Sequence, residues 1–197
     1  RGFLLGAVAT ATGLAIGYRL VGPARGDTAA IPLPFQPYVS IAPDGKVTIL
    51  SSQFEMGQGS YFGIATLANE ELGADWAMIT VEGGFGDVAA FGNLAWGGAA
   101  QGTGGSTSMT SSYERYRKAG AAMRLMLTEA AARDWQVPVT EITAANGVLS
   151  HASGKSATYG DMAGKLNGIT LPADIPLKPR AEWTQIGNAA LKRNDTA

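Results

Sequence analysis

The sequence predicts an α+β fold, a mixed sheet with a long central helix, preceded by an apolar N-terminal helix. Two periodicities carry this. Apolar residues alternate in short β-rich runs (Tyr38–Ile41, Val47–Leu50, Met78–Glu82), and from Thr107 to Trp135 they recur three or four apart (Met109, Tyr113, Tyr116, Gly120, Met123, Leu127, Ala130, Ala131). A third observation joins them: glycine-rich turns stand where strand-like sequence passes into helix-like sequence.

The 197 residues are 46% hydrophobic, enough for one sizeable core. A net charge of −1 with scattered basic residues leaves no electrostatic footprint for nucleic acid. Without cysteine the chain can hold neither a disulfide nor a thiolate-ligated iron–sulfur cluster. Its single histidine, His151, cannot supply a zinc site and reads as a surface residue near a hairpin.

Residues 1–22 run uncharged from Gly2 to Tyr18 and look like the body of a secretory signal or a retained membrane anchor. As a helix, that stretch is about 25 Å long, just under a hydrocarbon core of about 30 Å. Arg1-Gly2-Phe3-Leu4 resembles the end of a twin-arginine motif. Residues 23–36, with Pro23, Pro32 and Pro34, read as a tether. Two runs separated by Pro43-Asp44-Gly45 read as a hairpin.

Next comes Glu55-Met56-Gly57-Gln58-Gly59, followed by a helix from Tyr61 to Leu72 that Gly73 stops. Glycines let the main chain approach a ligand, and the first amides of a helix lack internal partners, so a phosphate or carboxylate fits. A tight turn with Gln58 in solvent is the plainer alternative. Adjacent Glu70 and Glu71 do not face each other on a helix and read as solvated surface charge. The stretch 83–105, with Phe85, Phe91 and Trp96 among glycines, reads as a long loop that packs on something else. Its Gly83-Gly84-Phe85-Gly86 segment reads as a coincidental glycine loop.

A second turn, Gln101-Gly102-Thr103-Gly104-Gly105-Ser106-Thr107-Ser108, opens the long helix. Ser106 and Ser108 are candidate N-caps, and the same hydroxyls and amides suit a phosphate. After Pro138 the sequence predicts a short helical turn, a small hairpin around Ser153-Gly154-Lys155, and a short helix from Tyr159. The domain is expected over 37–170, with 171–197 as a proline-bearing linker.

Glu-Met-Gly-Gln-Gly at 55–59, Glu-Glu-Leu-Gly at 70–73 and Gly-Gly-Ser-Thr-Ser at 104–108 occur in an order that resembles the molybdopterin-binding subunit of the xanthine oxidase (molybdenum hydroxylase) family. The likeness is to the branch of isoquinoline 1-oxidoreductase and membrane-bound aldehyde dehydrogenases, in its N-terminal portion. It implies that Met56, Gly57, Gln58, Gly59, Gly104, Gly105, Ser106, Thr107 and Ser108 touch one molybdopterin cytosine dinucleotide carrying molybdenum. It further implies oxidation of an aldehyde to a carboxylic acid with water as oxygen source, or hydroxylation of an N-heteroaromatic ring. Implied partners are the rest of the large subunit, which would carry the catalytic glutamate and lead on to a hammerhead-shaped domain, and a small subunit with [2Fe-2S] clusters. A cytochrome c subunit with haem and the periplasmic face of the inner membrane complete that picture. The alternative of another class is a non-enzymatic, membrane-tethered scaffold whose glycine turns are only turns.

Overall fold

The computed structural model describes residues 6–10, 13–17, 38–84 and 86–194. Five strands form one mixed sheet in the order β1 (Gly6–Thr10), β2 (Gly13–Gly17), β3 (Val39–Ile41), β4 (Val47–Ser51) and β5 (Ile79–Gly83). The first four pair antiparallel in succession, whereas β4 and β5 run parallel with Val47 opposite Ile79 and Ser51 opposite Gly83. The helix expected over 1–22 falls on a stretch where only the two strand runs of β1 and β2 are described. The rest of it lies outside the described residues, as does the tether at 23–36. Among the described residues no helix is long and apolar enough to cross a membrane.

Between β3 and β4 the expected Asp-Gly turn forms, with Gly45 at φ 85° and the Asp44 carboxylate accepting from Lys46 N–H at 3.0 Å. The parallel step from β4 to β5 is made by helix α1 (Ser60–Leu72), which ends at Gly73 in the left-handed conformation. That conformation is the ordinary glycine stop. Helix α2 (Val88–Phe91) and a 3-10 turn at Leu94–Trp96 break up the 83–105 stretch, which is therefore not a structureless loop. Phe85 lies outside the described residues. The longest element is helix α3 (Ser108–Trp135), within a residue of the sequence expectation.

The long central helix α3 has α1 as its main neighbour, and α1 in turn lies against β4 and β5. The crossing is close because Gly120 carries no side chain: a Cβ there would run into the Ala68 carbonyl. Ile64, Ala65, Leu72, Met126 and Leu127 fill the core, all fully buried. Tyr116 ties α3 to the end of β4, its hydroxyl donating to Leu50 O at 2.9 Å and accepting from Ser52 N–H at 2.6 Å. Burial pushes that phenol far above its ordinary value.

A second sheet follows α3, with β6 (Thr143–Ala145), β7 (Val148–Ser150) and β8 (Ser156–Thr158) in antiparallel succession. It leads into α4 (Tyr159–Ala163), opened by a capping box between Thr158 and Asp161. His151 does sit at this hairpin, half-buried, held between Glu141 (2.8 Å) and Ser153 (2.8 Å).

Glu70 and Glu71 correct the sequence reading: both are wholly buried, not solvated. Glu70 accepts backbone N–H groups from Thr184 (3.0 Å), Gln185 (2.7 Å) and Ile186 (2.9 Å). Glu71 pairs with the Arg117 guanidinium at 2.5 Å and accepts from Lys178 N–H at 2.9 Å. The spacing argument that they do not face each other holds, but helical spacing says nothing of a remote segment arriving to cover both. That segment, 178–194, is irregular, with a 3-10 turn at Arg180–Glu182 and two further turns, Asn188 N–H donating to Gln185 O and Leu191 N–H to Asn188 O, and it lies against α1 and α3.

Candidate functional site

The first glycine turn follows β4 and ends where α1 begins. Gly57 (φ 101°) and Gly59 (φ 84°) adopt conformations that favour glycine, and Gly59 is the residue before the helix. Its amides do face an anion, and the anion is the chain's own. Glu55 accepts from Gly57 N–H (2.7 Å), Gly59 N–H (2.9 Å) and Tyr61 N–H (3.0 Å), with Ser60 Oγ at 3.3 Å. Gln58 is exposed, as the plainer reading has it, and its side chain folds back over the turn. Its Oε1 accepts from Met56 N–H at 2.7 Å, and its Nε2 donates to Phe54 O at 2.6 Å and to Ser60 Oγ at 3.1 Å. Met56 projects outward, 71% exposed.

The second turn is built around Asn93, which is fully buried. Its Nδ2 donates to Thr107 Oγ1 at 2.8 Å and to Gly102 O at 3.1 Å, while Oδ1 accepts from Ala95 N–H at 3.0 Å. Trp96 lies over this turn, its ring filling the space a side chain on Gly102 would need. Gly105 (φ 61°) and Ser106 (φ 58°) are both left-handed, and Thr107 returns to right-handed geometry at φ −94°, ψ −6°. Successive amides in such an alternation point towards a common concavity that suits an anion.

The cap of α3 corrects the sequence reading. The N-cap is Thr107, not Ser106 or Ser108, and it makes no side-chain capping bond. Its hydroxyl turns away from the helix to donate to Gly104 O at 2.7 Å. Among the described residues no N-cap side chain therefore satisfies the first amides of this 28-residue helix. A left-handed non-glycine residue costs on the order of 1–2 kcal/mol, and here it stands at the mouth of that open helix end.

The two turns meet. Phe54 N–H donates to Thr103 Oγ1 at 2.8 Å, and Thr103 Oγ1 donates to Gln53 Oε1 at 3.2 Å. One helical turn further in, the Met109 thioether occupies the space above Gly63. Gln53 Nε2, Ser52 Oγ and Ser112 Oγ are buried and have no hydrogen-bond partner among the described residues. Gln53, Asn93 and Glu55 were not singled out from sequence. The signal for Glu55 was there in its spacing to Gly57 and Gly59; Asn93, remote from the motif, gave none.

A family model for the molybdopterin cofactor-binding domain matches residues 6–196, so the chain belongs to the molybdopterin cofactor-binding domain family. It is 34% identical over 184 residues to the isoquinoline 1-oxidoreductase subunit beta of Brevundimonas diminuta, covering 89% of this chain and 22% of that protein. It is also 34% identical over 168 residues to the membrane-bound aldehyde dehydrogenase [pyrroloquinoline-quinone] of Gluconacetobacter polyoxogenes, covering 82% and 21% respectively. The chain thus spans about a fifth of the length of these curated relatives. Among solved structures it is similar to quinoline 2-oxidoreductase from Pseudomonas putida 86 (TM-score 0.46, 20% identity) and to CO dehydrogenase from Oligotropha carboxidovorans (TM-score 0.49, 21% identity). Each alignment covers 64% of this chain and 15% of the other. The family model and the two curated relatives establish the resemblance seen in the sequence motifs at the level of the family, and with it a molybdenum cofactor as the ligand class.

Proposed function

We propose that this chain is the cofactor-holding N-terminal part of a molybdenum hydroxylase that oxidises an aldehyde to a carboxylic acid, with a molybdopterin cytosine dinucleotide as its cofactor. The single observation that carries the site is the uncapped start of α3. Ser108 and the residues after it offer amides to an anion, within a Gly104-Gly105-Ser106-Thr107 turn already bent into an anion-binding shape. These residues fit a cofactor phosphate. Met56, Gly57, Gln58 and Gly59 fit it differently, because Glu55 and Gln58 already occupy the Met56, Gly57 and Gly59 amides. Their part would be contact through the exposed Met56 side chain and the bare Gly57 backbone. The bound cofactor supplies the two-electron redox chemistry.

The names of the two curated relatives support aldehyde oxidation and N-heteroaromatic hydroxylation at equal identity, so ring hydroxylation stands as the second reading. With no cysteine for a cluster, electrons would leave through [2Fe-2S] centres on a partner chain and pass to a haem-bearing cytochrome c or a quinone. The remainder of the large subunit would supply the catalytic base. Export by a twin-arginine route and attachment at the periplasmic face of the inner membrane suit the apolar, arginine-headed start of the chain. Exposed Leu94 and Trp96 would then be covered by other parts of the assembly. The scaffold alternative draws support from Glu55, which makes the first turn self-sufficient.

The test is elemental and nucleotide analysis of the complete native protein. Molybdenum and cytidine monophosphate released in equal amounts are the expected result. Their absence from correctly assembled material would sink the cofactor reading and leave the scaffold.

A further inference from the structure

The segment 178–194 is held to the domain more tightly than a linker needs. Besides the amides taken by Glu70 and Glu71, Arg117 Nη2 donates to Lys178 O at 2.8 Å, Lys178 Nζ donates to Glu70 O at 2.5 Å, and Trp76 Nε1 donates to Lys192 O at 2.8 Å. The last of these fixes where the segment ends. Immediately after it, the Arg193 guanidinium lies 3.6 Å from the position a Cβ on Gly59 would take. Beside it in sequence, both polar atoms of the Asn194 amide are buried without a hydrogen-bond partner among the described residues. The first turn that Arg193 reaches has the Glu55 carboxylate built into it, a negative charge where an anionic ligand would otherwise be drawn. A guanidinium is the side chain best suited to offset that charge and to grip a phosphate in two places.

We infer that segment 178–194 is a strap, latched by Glu70, Glu71 and Trp76, that delivers Arg193 to the Gly57–Gly59 turn as a phosphate-binding cation. This rests on the cofactor reading above. It adds to it a residue outside both glycine motifs, and it assigns the first turn an anion grip through Arg193, its amides being engaged by Glu55.

The test uses the complete native protein in three variants, Arg193→Ala, Arg193→Lys and Trp76→Phe. Molybdenum and released nucleotide are measured per protein, together with binding of inorganic pyrophosphate to protein stripped of cofactor. The expected result is that Arg193→Ala loses at least about tenfold in pyrophosphate affinity, a factor of ten being ~1.4 kcal/mol. Arg193→Lys should recover part of the loss, and Trp76→Phe, which loosens the strap without removing charge, should lose less than Arg193→Ala. Arg193→Ala binding pyrophosphate and retaining molybdenum as the parent does would overturn the inference and leave the cofactor reading standing. Equal losses in Arg193→Ala and Trp76→Phe would make Arg193 a tether and overturn it likewise. A parent protein with neither molybdenum nor pyrophosphate binding would overturn both.

Discussion

The two glycine turns look alike in sequence and differ in what their amides face. At 55–61 the donors converge on Glu55, so the turn is complete without a ligand. At 104–108 the helix opens on Thr107 with no capping bond, although a threonine hydroxyl stands where one is usually made. Asn93 is the reason: it donates to that hydroxyl, which turns to Gly104 O and away from the helix. The lesson is that a Gly-x-Gly turn is read by asking whether a nearby carboxylate already fills it. One of the two turns keeps its shape by itself, and the other keeps it open for an occupant.

The largest blow to this arrangement is Gly120→Val. The side chain would meet the Ala68 carbonyl where α1 and α3 cross, and should cost about 3 kcal/mol, the upper part of the range for overpacking. Thermal or urea unfolding reads it, and both turns should loosen together because each leads into one of those helices. Glu55→Ala tests the filled turn alone. Three amides lose their acceptor, for an expected loss of about 1–2 kcal/mol with no change in anion binding at α3. Thr107→Asp is the reverse experiment: a carboxylate at the open turn should lower pyrophosphate affinity about tenfold or more while the fold survives, measured by calorimetry. Unaltered binding would show that the open turn is not the anion site.

A pH titration separates the strap from both turns. Burial raises the Glu70 carboxyl, but the amides of Ile186, Gln185 and Thr184 and the Lys178 ammonium outweigh it, and the net direction is down from 4.5. A depressed carboxyl contributes stability that is present above its unfolded value and is lost as pH falls through the lower folded value. Trp183 fluorescence should therefore report a strap that holds at neutral pH and releases only below about pH 4.5. Glu70→Gln should be looser throughout and lose the acid step. The smallest effect is Ser106→Gly, which relieves the left-handed strain at φ 58° and should add roughly 0.5–1 kcal/mol by thermal unfolding.

Much of this domain was legible because periodicity reports on burial. The 107–135 pattern found α3 to within a residue, Gly73 marked the end of α1, and Asp44-Gly45 marked the hairpin. The two turns were legible as motifs, since glycine is needed where φ is positive. What periodicity misses is contact between segments remote in sequence. Glu70 and Glu71 are charged, adjacent and on a helix, which describes a solvated pair equally well; only amides from residues 178 and 184–186 make them internal. Asn93 was invisible for the same reason. Its role depends on Thr107, fourteen residues away in an irregular stretch.

The Glu70 carboxylate waits for amides that come 114 to 116 residues later in the chain. At about 5–20 residues per second of synthesis, that is a gap on the order of ten seconds in which α1 exists and the Glu70 carboxylate lacks these backbone donors. Until then the Glu70 charge must stay in water, whereas Glu71 meets Arg117 much earlier, and α1 cannot be sealed from that side. The strap therefore acts as the last piece set in place. An assembly factor loading a large cofactor would find this side of α1 open until residues 184–186 have been made.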